Sequence, residues 1–404
     1  MKLTGNQHRL VTCAGRVGRR TGLLIALMVV VSGVAALPAS AEIAVTQRNQ
    51  VELGDTARDQ NDESFTVRGL SGITYVGLSP DAAGAHRYLA VMDNSDKLVT
   101  IDVELLADGG IGSASIVGGH TLALNRDFEG IAYHRQRQSV LLSEEDTPQV
   151  HEFDLGSIED SQGRQVLPVV QSLDRPGVFD HVRHNLGFES LALHPDLSQL
   201  WTANEEALSV DGPRSTASSG SVVRLLRYNL SGPTAGMATA AEQYAYLTEP
   251  LHAQAGTNFP SASGLVELLM LPDGTLLALE RSVASTYFVI EIPSIQLRLY
   301  EVGFEQATDI SGLSALDGET YTGVSKRLLW SDTGLGIGNL EGMALGPQLP
   351  NGNWSLIAVV DNDGGYPNRL VAFELHGLVI PEPSAGVLLL GLLALSGRGH
   401  RSLW

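Results

Sequence analysis

Ser71-Gly72-Ile73-Thr74-Tyr75, Glu129-Gly130-Ile131-Ala132-Tyr133, Glu189-Ser190-Leu191-Ala192-Leu193, Ser263-Gly264-Leu265-Val266-Glu267 and Glu341-Gly342-Met343-Ala344-Leu345 are five versions of one phrase. Downstream of each, an apolar run carries a second acidic position: Leu89-Ala90-Val91-Met92-Asp93, Val140-Leu141-Leu142-Ser143-Glu144-Glu145, Leu200-Trp201-Thr202-Ala203-Asn204-Glu205-Glu206, Leu276-Leu277-Ala278-Leu279-Glu280 and Ile357-Ala358-Val359-Val360-Asp361. A third set of partly alternating runs follows, among them Val150 to Leu155, Val223 to Leu230 and Leu370 to Leu375. Alternation of this kind suits strands with one buried face. At least three strands per repeat, bounded by Gly, Pro, Asn and Asp, point to an all-β chain of propeller blades.

The phrase recurs after 58 and 60 residues, and then after 74 and 78. The longer intervals leave room for insertions or a degenerate unit. Five units are visible, and Leu297 to Trp330 could supply another, so six blades are expected in preference to five or seven. An open β-solenoid is the other architecture, although it requires shorter and more regular periods.

The chain has 404 residues, with 26 Lys and Arg against 45 Asp and Glu. Residues 1–41 lack acids and run from Lys2, Arg9, Arg16, Arg19 and Arg20 through an apolar stretch to Ala39-Ser40-Ala41. They read as a cleaved export signal; the apolar stretch of about 15 residues is shorter than the ~20 of a spanning helix. The ordinary secretory route is expected over the twin-arginine route, because Gly22 follows Arg19-Arg20-Thr21 where a large apolar residue is usual. Cys13, the sole cysteine, lies in this segment, so the mature chain has no internal disulfide. Residues 42–64 read as a lead-in and 65–376 as the propeller. Without residues 1–41 and 377–404 the net charge is about −25, a field that disfavours nucleic acid and anionic membranes and favours cations.

Equivalent positions on propeller strands converge on one axis, so dispersed acids become a cluster. Like charges buried together require a compensating cation. Oxygen donors without clustered His or Cys favour Ca²⁺ or Mg²⁺, and Ca²⁺ accepts the looser carboxylate arrangement. The expected metal ligands are Glu129, Glu189 and Glu341 from the phrase, with Asp93, Glu144, Glu205, Glu280 and Asp361 from the second position. Lys97, Arg126 and Arg281 are expected substrate-binding residues. Asp361-Asn362-Asp363-Gly364 begins like a calcium loop but is no EF-hand, since Glu374 falls at position 14 instead of 12. There is no Gly-x-Ser-x-Gly elbow, His-Glu-x-x-His motif or P-loop.

Asp127-Phe128-Glu129-Gly130-Ile131-Ala132, Asn185-Leu186-Gly187-Phe188-Glu189-Ser190-Leu191-Ala192, Asn339-Leu340-Glu341-Gly342-Met343-Ala344 and Leu279-Glu280-Arg281 after Pro272-Asp273-Gly274 resemble secreted proteins of the phytase-like, or "esterase-like activity of phytase", family. The resemblance spans about residues 65 to 376. It implies a β-propeller and hydrolysis of phosphate or carboxylate esters. Pro381-Glu382-Pro383, the apolar run from Ala385 to Leu395, and Arg398 and Arg401 resemble a PEP-CTERM sorting signal. That resemblance implies handling by the export machinery and an exosortase, with delivery to the cell envelope or outside and transient membrane association through the tail. A noncatalytic extracellular propeller binding polysaccharide or protein is the rival reading. Few Lys residues and a strongly negative field make a smaller phosphoester or a carboxylate ester easier to accept than a polyphosphate.

Overall fold

The computed structural model describes residues 42–230, 238–254, 261–287, 291–333, 336–361 and 367–378. The export signal, Asn362 to Gly364, and the sorting motif Pro381, Glu382 and Pro383 lie outside them.

An opening strand, β1 (Ala44–Glu52), and a hairpin of β2 (Thr56–Arg58) and β3 (Ser64–Thr66) precede a series of four-stranded antiparallel sheets. Blade 1 contains β4 (Leu70–Leu78), β5 (His86–Met92), β6 (Ser95–Leu105) and β7 (Ile111–Arg126). Blade 2 contains β8 (Phe128–His134), β9 (Ser139–Glu144), β10 (Gln149–Asp154) and β13 (Val169–Leu173), with the hairpin of β11 (Glu159–Ser161) and β12 (Arg164–Val166) before β13. Blade 3 is β14 (Ala192–Leu193), β15 (Gln199–Ala203), β16 (Val222–Leu230) and β17 (Ala238–Leu247). Blade 4 is β18 (Ala262–Met270), β19 (Leu276–Tyr287), β20 (Glu291–Gly303) and β21 (Ser325–Asp332). Blade 5 joins β22 (Asn339–Gln348), β23 (Trp354–Asp361) and β24 (Arg369–His376) to β1, which pairs with β24 from Ala44 opposite His376 to Glu52 opposite Arg369. Thus β1, in the stretch read as a lead-in, is the outermost strand of the last blade.

The innermost strands β4, β8, β14, β18 and β22 contact one another in succession, and β22 returns to β4. The described residues therefore form a closed ring of five blades, and the expected sixth is corrected. Leu297 to Trp330 falls in β20, β21 and their connection, the outer half of blade 4. The long intervals between phrases are occupied by extended hairpins and connections within blades 3 and 4.

The central strands read as continuous apolar runs because each is buried on both faces. In β23, Ile357 and Val359 pack with Ile73, Ala90 and Val99 of blade 1. Leu356, Ala358 and Val360 point the other way, onto Leu277, Leu279, Leu297 and Leu299 of blade 4. In β5, Ala90 and Met92 join the core shared with blade 5, while Leu89 and Val91 pack against Ile131, Val140 and Leu142 of blade 2. The two-residue period of a strand thus divides one apolar run between two interblade cores. Each fully buried Leu, Ile or Val contributes about 1.5–3 kcal/mol relative to exposure.

The repeated glycines occupy the crowded ring of inner strands. A Cβ on Gly72 would stand 2.3 Å from the Glu129 carbonyl oxygen, and one on Gly342 would stand 2.5 Å from that of Ser71. The phrase keeps its small residue because neighbouring backbones leave no room for a larger one.

Candidate metal and ester site

Local irregularities bring the acids to the mouth of the ring. In β22, Leu340 pairs with Val360 and Gly342 with Val359, leaving Glu341 as the extra residue of a register shift. In β8, the shift falls between Phe128 and Ile131 and spans Glu129 and Gly130. Such irregularities remove a side chain from strict alternation and re-aim it. The second positions share a backbone anchor at the end of the second strand: Asp93 N–H donates to Gly69 O at 2.8 Å, Glu145 N–H to Asp127 O at 2.9 Å, and Glu205 N–H to Gly187 O at 2.9 Å. Asp93, Glu145 and Glu205 are therefore equivalent residues of three blades.

Two acidic triads result. Asp93, Asp127 and Glu129 bring one carboxylate oxygen each within 4.8 Å of one another, and so do Glu145, Glu189 and Glu205. Arg281 Nη2 donates to Glu205 Oε1 at 3.0 Å, and its Nη1 pairs with Glu341 and donates to Asn339 Oδ1 at 3.1 Å. Asn339 Nδ2 donates to Glu341 Oε1 at 3.0 Å and Asp361 Oδ2 at 3.2 Å. The mouth thus gathers Asp93, Glu129, Glu189, Glu205, Glu341, Asp361 and Arg281 from the expected set, together with Asp127, Glu145 and Asn339.

The other expected residues have separate partners. Glu144 accepts from His151 Nε2 at 2.9 Å and lies 3.6 Å from Arg126 Nε. Glu280 is enclosed by Tyr246 Oη at 2.7 Å, Lys326 Nζ at 2.7 Å and the Glu249 N–H at 2.8 Å. Lys97 is buried against Asp59 at 2.9 Å and Thr121 Oγ1 at 2.6 Å. Asp127 and Glu145 each adjoin a residue already singled out in sequence; the shared backbone anchor distinguishes Glu145 from Glu144.

Burial pushes the Asp93 carboxyl up to about 8, with Asp127 and Asp361 adding to the rise. Burial likewise raises Glu145 to about 7, opposed by its hydrogen bond with Glu189 and by Arg281 and aided by Glu205 and Asp146. Asp127 is raised, and Glu129 and Glu189 are raised well above the ordinary range, by burial first and then by neighbouring acids. For Arg281, burial opposes its charge, but Glu341, Glu205 and Glu189 overcome that cost and raise its pKa. One arginine cannot compensate so many acids once they ionise, which is why their protonated forms are favoured in the absence of a cation.

A cation suits this donor set. Asp127 Oδ1 and Glu145 Oε1, one in each triad, are buried without a hydrogen-bond partner. Such oxygens are costly unless something positive faces them. Buried Glu267, the last residue of the blade 4 phrase, accepts N–H bonds from Leu268 at 2.8 Å and from Met343 at 3.1 Å, linking β18 to β22.

Two clefts flank the first triad. One, of about 700 Å³, is lined by Phe65, Arg68, Asp93, Asn94 and Asp361, among others. The second, of about 530 Å³, includes Arg126, Asp127, Glu144 and His151. Arg68 is exposed and forms no hydrogen bond or ion pair among the described residues. It was missed in sequence because it stands outside the phrase and far from its spacing pattern. Among the described residues, no helix is long and apolar enough to cross a membrane.

The chain is similar to Penicillium chrysogenum α-L-arabinanase complexed with arabinobiose, at 10% identity over 82% of this chain and 98% of that one, with a TM-score of 0.37. It is also similar to the periplasmic gluconolactonase PpgL of Pseudomonas aeruginosa, at 12% identity over 82% and 96% of the chains, with a TM-score of 0.32. No curated protein gives a match. The model of the phytase-like family, described as "Esterase-like activity of phytase", matches residues 66–364, and the chain belongs to that family.

Proposed function

We propose that this propeller is an exported, Ca²⁺-dependent hydrolase of small phosphoesters or carboxylate esters, with its reaction site at the mouth of the ring. The observation that carries this reading is the Asp93, Asp127 and Glu129 triad: three carboxylates with a buried, unpartnered oxygen, set between two clefts. These residues would hold the ion. Bound there, a divalent cation would polarise an ester oxygen and acidify an attacking water.

The chain's own groups then divide the remaining work. Arg68 can draw the anionic end of an ester into the larger cleft, while Phe65 gives that cleft an apolar wall. Arg281 holds Glu205 and Glu341, fixing the neighbouring acids from behind. The export signal in residues 1–41 and the PEP-CTERM-like tail would place the protein at the envelope or outside the cell, with exosortase processing that tail. The acidic mouth disfavours highly anionic substrates and nucleic acid.

The test is hydrolysis of a panel of phosphomonoesters, phosphodiesters and carboxylate esters by the purified protein, with Ca²⁺ and with chelator. Turnover lost on chelation and regained with Ca²⁺ is expected. A folded, Ca²⁺-loaded protein without turnover on any class would instead leave a propeller that binds polysaccharide or protein.

A further inference from the structure

We infer that Glu145, Glu189 and Glu205 form a second cation centre, distinct from the one beside the clefts, which fastens blades together instead of meeting substrate. The inference builds on the proposed cation chemistry, but not on hydrolysis. Its three carboxylates present oxygens within 4.8 Å of one another and are 2%, 7% and 3% exposed. Glu145 Oε1 is buried and unpartnered. None of the three lines either flanking cleft.

Charge and topology lead to the same division. Arg281 supplies one positive charge at 3.0 Å from Glu205 and shares it with Glu341. Three carboxylates cannot be balanced by that shared guanidinium, whereas an added dication brings the group close to neutrality. Glu145 follows β9 of blade 2, while Glu189 and Glu205 belong to blade 3. Arg281 connects them to β19 of blade 4 and, through Glu341, to β22 of blade 5. An ion here joins segments far apart in sequence, so its removal should loosen the ring. Removal from the Asp93 triad should act on turnover instead. Hard oxygen donors with variable coordination number suit Ca²⁺, with Mg²⁺ as the competitor.

The experiment is calorimetric titration of chelator-stripped protein with Ca²⁺, followed by thermal unfolding with and without Ca²⁺. Two equivalents are expected for the unsubstituted protein, with a rise in Tm of about 5 °C on loading. Glu189→Gln should bind one equivalent and lose most of that rise; Asp127→Asn should also bind one equivalent but keep it. One equivalent or none in the unsubstituted protein would overturn the inference even if Glu189→Gln failed to fold. Retention of both equivalents in folded Glu189→Gln would overturn it as well. Two equivalents without ester turnover would count against the hydrolase reading while supporting the second centre.

Discussion

Blade 3 and the mouth of the ring both bury charge, but only one of them balances it. Arg224 is fully buried and donates from Nε to Asp211 Oδ2 at 2.6 Å and from Nη2 to Asp211 Oδ1 at 2.8 Å. Its Nη1 reaches Gln243 and the Leu313 carbonyl, both at 3.1 Å, while Asp211 Oδ1 also accepts the Leu316 N–H at 3.0 Å. Charges and donors are matched, and the connection between β20 and β21 is tied to blade 3. At the mouth, two acidic triads share the neighbourhood of Arg281, and carboxylate oxygens remain unpartnered. The same chain can satisfy buried charge, so the imbalance is a local property of the mouth, and the proposed cation would remove it.

The largest expected effect sharpens the contrast at its balanced end. Arg224→Ala leaves Asp211 buried without its ion partner and should cost about 3–5 kcal/mol in urea unfolding. That loss should be the same with Ca²⁺ and with chelator. A loss confined to either condition would break the distinction between the two regions.

The pH response of chelator-stripped protein is the second, smaller effect. Unfolded Asp and Glu titrate near 4, whereas folded Asp93 and Glu145 titrate at about 8 and about 7. The fold therefore holds protons that the unfolded chain has released, so the acids at the mouth favour the fold most below their unfolded pKa values. Their contribution falls as pH rises through 7 and 8. Tm of the stripped protein should decline by several degrees across that window, and saturating Ca²⁺ should flatten the decline. Stability rising with pH in stripped protein would contradict the assigned charge excess. Asp59 and Asp102 have lowered pKa values and act at more acidic pH.

The smallest effect concerns the cleft. Arg68→Ala should reduce kcat/KM for an ester with an anionic end by about tenfold, equivalent to about 1.4 kcal/mol, and leave a neutral ester nearly unchanged. Equal losses on both substrates would assign Arg68 to the shape of the site instead of to anion attraction.

Much of this arrangement is legible in the sequence because a propeller repeats it. The phrase marks the inner edge of all five blades, and a second acid 21, 15 and 19 residues beyond its small residue puts Asp93, Glu205 and Asp361 at the mouth. Three features escape that reading. Glu144 and Glu145 are adjacent, and the residue after the strand turns inward only because its N–H is fixed to Asp127 O at 2.9 Å. In blade 4, Arg281 pairs opposite Gly264 and Glu280 opposite Leu265. Glu280 consequently sits deeper along its strand, among Tyr246 and Lys326, although its spacing from the phrase resembles that of the other second-position acids. The blade count was also obscured by length: the long β19–β20 hairpin and the β20–β21 connection occupy sequence that periodicity assigns to another blade.

The pairing of β1 with β24 makes completion of the ring the last event available to the growing chain. Blades 1 to 4 are each assembled from consecutive sequence, but blade 5 must recruit a strand synthesised more than 300 residues before its partner. Until residues 369–376 emerge, β1 has an unpaired edge, the kind of template that invites association between chains. For a protein read as exported, this makes the interval between translation and closure a hazard for holdase chaperones to cover, because the final clasp cannot form while the C-terminal strand is missing.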